Sequence, residues 1–154
     1  MPKKDVIRGG HELERNLKKL GSGKLVAKVT RSAIGKAGTR LKKVAKTMVV
    51  VETGLLRESI HSMTKTKSGV IYGVVGARSG LSMTVTRTRD DGTTYEIKSD
   101  PSKYSHLVEL GTAHSQAKPF LRPAFDSVDS EKIISDKLWE NIAKEVDKMK
   151  VKVL

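Results

Sequence analysis

Few residues in this 154-residue chain are both reactive in type and suitably spaced for chemistry. Cysteine is absent, which excludes a thiolate nucleophile, a disulfide framework and a thiolate zinc site. Gly21-Ser22-Gly23-Lys24 has the ending of a phosphate-binding loop. The first glycine of such a loop would fall at Lys18, however, and Leu25 stands where a hydroxyl would touch magnesium. Ser115-Gln116-Ala117-Lys118 has the S-x-x-K spacing of serine acyl enzymes, but neither S-D-N nor K-T-G accompanies it. Pro119 also blocks the helix that would align that serine and lysine. His11-Glu12 lacks its second histidine, because Arg15 occupies that position. His106, Glu109 and His114 could form a two-histidine, one-carboxylate metal site, but Gly111 ends the helix before His114. The expectation is therefore no catalytic residue, no cofactor and no metal. Glu109 remains notable: a carboxylate between Val108 and Leu110 is expected to be half buried and to need a partner, with Arg122 or Arg57 as the candidate.

Charge points to partners instead of substrates. The chain has 30 Lys and Arg against 17 Asp and Glu, a formal +13. Residues 1–48 hold 14 of those bases and 3 acids, so the excess sits in the first third. A basic segment of this kind suits a solvated helix face, an acidic protein surface or phosphate. Six aromatic residues offer no stacking platform and no nucleic-acid-reading motif is recognisable, so nonspecific contact with DNA is the most that the residues support. Neither a signal-type apolar run nor a stretch near the roughly 20 residues of a membrane span occurs, so the chain is expected in a cytoplasm and without a membrane.

The elements that must position these residues follow from periodicity. Leu13, Leu17 and Leu20 recur at helical spacing up to Gly21, which predicts a short N-terminal helix within residues 1–21. A long basic amphipathic helix follows, with Leu25, Val29, Ala33, Ala37, Leu41, Val44 and Met48 on one stripe. Lys28, Arg31, Lys36, Arg40, Lys42, Lys43 and Lys46 lie on its other faces and form the candidate docking surface. Gly35 and Gly38 predict a kink or a close backbone contact within it.

From Ile60 the period changes to two. IHSMTKTK and VIYGVVGA form one hairpin about Ser68-Gly69, and LSMTVTRTR and TTYEIKS form a second about Asp91-Gly92. With Asp91 and Gly92 as the loop, Arg87 faces Glu96 and Thr88 faces Tyr95, which predicts a projecting hairpin over residues 81–98 whose distal half is polar on both faces. Asp100-Pro101 and Gly111 delimit a two-turn helix with Tyr104, Leu107 and Val108 inward and Leu110 closing the apolar surface. Pro119 and Pro123 then hold Phe120-Leu121-Arg122 extended, and Pro123 opens a final helix striped by Phe125, Val128, Ile134, Leu138, Ile142, Val146 and Met149. The fold class is α+β: N-terminal helices including the long basic one, a small antiparallel sheet built from two hairpins, a short helix and a long C-terminal helix. Residues 1–154 read as a single domain.

Three of these stretches carry a family resemblance. "VELGT", with Glu109, Leu110, Gly111 and Thr112, "KPFLRPAF", with Pro119, Phe120, Leu121, Arg122, Pro123 and Ala124, and "TGLLRESI", with Thr53, Gly54, Leu56, Arg57, Ser59 and Ile60, resemble the motifs of a bacteriophage family. It is the neck and tail-completion (tail-component) family of lambda-like long-tailed phages, similar in role to the lambda minor tail protein Z. Order and spacing agree across about residues 10–145, and the hairpin of residues 81–98 is longer than the family pattern. The resemblance implies a non-enzymatic virion protein at the head-tail junction, assembling as a ring, by expectation a hexamer. Its implied partners are further copies of itself and the adjacent neck, connector, tail-terminator or tail-tube proteins. A tail terminator capping the tail tube is the alternative, and a nonspecific DNA-binding protein a further one. It would be assembled in the host cytoplasm and end in the virion.

Overall fold

A computed structural model describes residues 15 and 18–149. Leu13 and Leu17 of the expected N-terminal helix lie outside the described residues, while Lys18–Leu20 are helical. Helix α1 (Gly23–Met48) runs unbroken for 26 residues, about 39 Å at the usual rise. The Ser22 hydroxyl caps its first turn by accepting from the Leu25 N–H at 3.4 Å. Its buried face is Val29, Ala33, Ala37, Gly38, Leu41 and Ala45, continued by Val49 just beyond the helix. The stripe thus advances by strict steps of four, so Ala45 and Val49 take the core places expected of Val44 and Met48. Val44 is half buried and Met48 exposed.

The glycines mark a close contact, and the helix continues through them. Strands β1 (Ile60–Lys67) and β2 (Val70–Ala77) form an antiparallel hairpin that lies across the middle of α1. A Cβ on Gly38 would collide with Ser62 Oγ, and one on Gly35 would sit 3.6 Å from Thr64 Oγ1. The hairpin turns through Ser68 and Gly69, both with positive φ (50° and 80°), the geometry of a two-residue primed turn.

Strands β3 (Met83–Thr88) and β4 (Thr94–Ser99) pair with each other and form a second, separate two-stranded sheet. The two hairpins therefore do not merge into one sheet. The β3–β4 register differs by one residue from the expectation: Arg87 pairs with Tyr95 and Thr88 with Thr94. The loop is three residues long, because the Arg89 N–H donates to Thr93 O and Gly92, at φ 83°, closes back on Arg89 O. The slip places Met83, Arg87, Tyr95 and Ile97 on one face and leaves threonines, Glu96 and Lys98 on the other. In the distal half one face carries Arg87 and Tyr95 and the other Thr86, Thr88, Thr94 and Glu96, so the correction concerns which side chains share a face.

Helix α2 (Leu55–Ser59) precedes β1, and α3 (Pro101–Leu110) follows β4. Asp100 caps α3 through the Ser102 N–H at 3.0 Å, Pro101 opens it and Gly111 ends it, as its sequence signals require. Tyr104 and Val108 pack inward, whereas Leu107 is half exposed and Leu110 points away from the core at 66% exposure. The expected single C-terminal helix is two: α4 (Leu121–Ser127) and α5 (Ser130–Met149). Val128 breaks the run with extended backbone and a buried side chain, and Asp129 starts α5 by accepting from the Lys132 N–H at 2.9 Å. Leu121 and Arg122 are helical, with Pro123 in the first turn of α4, where its missing N–H has no partner to lose.

The core lies at the C-terminal half of α1. Leu41, Ala45, Val49, Leu56, Ile60, Phe120, Ala124 and Val128 form one buried cluster. Helix α5 returns along α1 toward its N-terminus, since Lys28 meets Glu145 at 3.5 Å.

Candidate interaction surface

The motif residues meet in the core and at a carboxylate clamp. Leu56 of the first motif and Phe120 of the last belong to the same buried cluster, both packed where α1 ends. Gly54 begins α2 in the left-handed region at φ 78°, assisted by Thr53, whose hydroxyl accepts from the Leu55 N–H at 3.4 Å. Thr53, Gly54 and Leu56 also line a cleft of about 520 Å³ together with Ile97, Tyr104 and Thr112. Arg57 is exposed and supplies none of the hydrogen bonds that Glu109 accepts.

Glu109 is not held by an arginine side chain. Its Oε2 accepts from the N–H groups of Phe120 (2.8 Å) and Leu121 (2.9 Å), and its Oε1 accepts from Arg122 N–H (2.9 Å). A helix start leaves four N–H groups without helical partners. Here three of them are taken by one carboxylate, and the next residue, Pro123, has none to offer. The Ala124 N–H then makes the first helical bond, to Phe120 O at 3.4 Å. Partial burial pulls the Glu109 pKa upward and is the largest single influence. The three backbone donors together with the nearby Arg122 charge outweigh it and hold the carboxyl below its ordinary value.

The loop between the motifs delivers those donors. Gly111, at φ 79°, cannot carry a Cβ, which would come within 2.8 Å of the Ala117 N atom. Thr112 Oγ1 accepts from the His114 and Ser115 N–H groups at 3.2 and 3.0 Å, tightening the turn. The Lys118 N–H then bonds Val108 O at 2.9 Å, bringing Pro119 and Phe120 back to Glu109. The three backbone amides were invisible as partners because any residue supplies them. Pro123 was their available signal, since a proline in the first turn marks a helix start.

The seven basic residues of α1 divide into two groups. Lys28 pairs with Glu145, Arg31 donates to Thr66 Oγ1 at 2.9 Å, and Lys46 donates to Glu58 O at 3.4 Å. Lys42 is half buried. Lys36, Arg40 and Lys43 are exposed and have no hydrogen-bond or ion-pair partner among the described residues. Spaced by four and then three, they form one stripe opposite the buried face. Among the described residues no group of three or more His, Asp or Glu is placed to hold a metal ion, and no helix is long and apolar enough to cross a membrane.

Fold and motifs together define a small α+β protein whose motif residues set helix ends and backbone corners. Residues 11–111 match the HK97-gp10-like family model, described as "Bacteriophage HK97-gp10, putative tail-component", and the chain belongs to this family. No match was found among curated proteins or solved structures. As a family member the chain is a structural tail component of a bacteriophage virion. The matched span takes in the Thr53–Ile60 motif, Glu109 and Gly111, and stops before Thr112 and the Pro119–Ala124 motif.

Proposed function

We propose that this chain is a non-enzymatic subunit of the head-tail junction, completing the tail as a ring, a hexamer, and joining it to the neck. Residues 1–154 act as one domain in this reading. The observation that carries it is the stripe of Lys36, Arg40 and Lys43, exposed along a rigid helix and free of internal partners among the described residues. Unpaired charges in a row, held on a long helix, suit docking on an acidic face of an adjacent neck, connector, tail-terminator or tail-tube protein. Such complementarity speeds encounter and fixes register more than it adds affinity. The stripe has no aromatic or amide side chain that would read bases, so packaged DNA is at most a nonspecific contact.

The test replaces Lys36, Arg40 and Lys43 together with Glu. The expected product is a folded subunit with separate heads and tails that fail to join. Normal joining by that variant contradicts the docking role. Tight duplex binding by the wild type at physiological salt, steeply salt-dependent and lost in the variant, favours a DNA-binding role instead. A subunit found only as the cap of isolated tail tubes supports the tail-terminator reading.

A further inference from the structure

The cleft beside the motifs has apolar walls and a cationic rim. Val50, Ile97, Leu107 and Val108 supply apolar lining, and the first three of these stay exposed within it. Of its two lining cations, Arg87 is matched by Glu52 at 3.7 Å. Lys118 is exposed, and its side chain makes no hydrogen bond or ion pair among the described residues. At about 520 Å³ the cleft has room for an aromatic side chain. The group that fits it is a large apolar side chain next to a carboxylate, which the free lysine would meet.

Helix α4 presents that combination. Ala124 and Val128 are buried in the core, which turns Phe125 and Asp126 outward. Phe125 is 60% exposed, and Asp126 is exposed with no partner among the described residues. Other exposed hydrophobic residues adjoin an acid, but those acids are engaged. Glu52 beside Val51 meets Arg87, and Glu109 beside Leu110 is held in the clamp. Glu140 beside Trp139 meets Lys137 and Lys144. Glu145 beside Val146 meets Lys28 and Lys148, and Asp147 on its other side has a partner as well. Glu96 lies on the face of β4 opposite to its neighbour Ile97.

Phe125 does not line the cleft of its own chain. Nor can it swing there, because α4 is fixed at its start by Glu109 and along its length by the core. The same buried cluster holds Leu56, which lines the cleft, and Ala124, which precedes Phe125. Projection and cleft therefore keep a fixed relative position. Two different patches of one chain that meet through a fixed rotation are what a closed ring requires.

We propose that Phe125 of one copy enters the cleft of the next, with Asp126 against Lys118, and that this contact links the copies of the ring. It rests on the ring reading and adds to it the surfaces that meet.

A charge swap in the full chain tests the contact, read by the size of the assembly, with circular dichroism to verify the fold. Lys118→Glu and Asp126→Lys are each expected to lose the ring under conditions where the wild type forms it. The Lys118→Glu, Asp126→Lys double variant is expected to regain it, since every contact then pairs opposite charges again. Single variants that keep the ring, or a double variant that does not regain it, overturn the proposal. The chain lacks cysteine, so a Lys118→Cys, Asp126→Cys variant can be oxidised in assembled particles as a second reading. A ladder of covalent multimers, absent from either single-cysteine variant, supports the contact, whereas no bond or a bond within one chain overturns it. Wild-type rings whose variants behave in that contrary way reject this contact alone; a wild type that forms no ring in solution or in particles rejects the ring reading and this contact with it.

Discussion

Glu109 shows how a single side chain can hold two segments in place. Removing it leaves the N–H groups of Phe120, Leu121 and Arg122 without their acceptor at the start of α4. Hydrogen bonds to a charged group contribute about 1.5–3 kcal/mol each, and they are not additive here because one carboxylate makes all three. Glu109→Ala is expected to lose on the order of 2–4 kcal/mol, measured by denaturant unfolding. An Arg122→Ala substitution is expected to change stability by less than about 1 kcal/mol, because its side chain is exposed and its backbone N–H is retained. The pH dependence has a definite sign. The folded pKa of Glu109 is depressed, so its contribution is complete above the unfolded value of about 4.3 and fades as pH falls through the folded one. The stability gap between wild type and Glu109→Gln should therefore be constant near neutral pH and narrow in acid; a gap that widens in acid contradicts the clamp. The sequence made Glu109 legible as a carboxylate in need of partners, but side-chain chemistry alone suggested arginine.

At the scale of elements, local punctuation was the most readable signal and register the least. Asp100-Pro101 and Gly111 delimit α3 as expected, and Ser68-Gly69 turns the first hairpin. Asp91-Gly92 was ambiguous because the same pair serves a two-residue loop or the end of a three-residue one. The longer loop shifts β3 against β4 by one residue and changes which side chains share a face. The break between α4 and α5 was hidden because Val128 continues the apolar period while its backbone leaves the helix. Two element-scale predictions follow from geometry. Gly111→Ala should destabilise by more than about 1 kcal/mol, through its positive φ and the nearby Ala117 backbone, measurable as a lowered melting temperature. The β3–β4 hairpin pairs only with itself as a sheet, so its amides should exchange with solvent much faster in a dilute monomer than those of α1. Equal protection of the two would show that the hairpin is held by contacts within the subunit.

For the whole molecule, only part of the basic charge carried by α1 is available to a partner. Lys28, Arg31 and Lys46 are engaged within the chain, leaving Lys36, Arg40 and Lys43 as an outward stripe. Periodicity revealed which face of α1 was polar; it could not reveal which bases the folded chain would use itself, since those contacts come from Glu145, Thr66 and Glu58 on elements distant in sequence. A short core completed at one end of α1, two small unmerged sheets and an outward basic stripe are the features on which the proposed ring subunit rests. The most direct measurement is a cryo-EM map of the assembled particle at side-chain detail. It should place a ring of this chain between head and tail, with Lys36, Arg40 and Lys43 against acidic side chains of an adjacent protein ring; a map that places the chain elsewhere in the particle, or turns that stripe toward the DNA channel, contradicts the account.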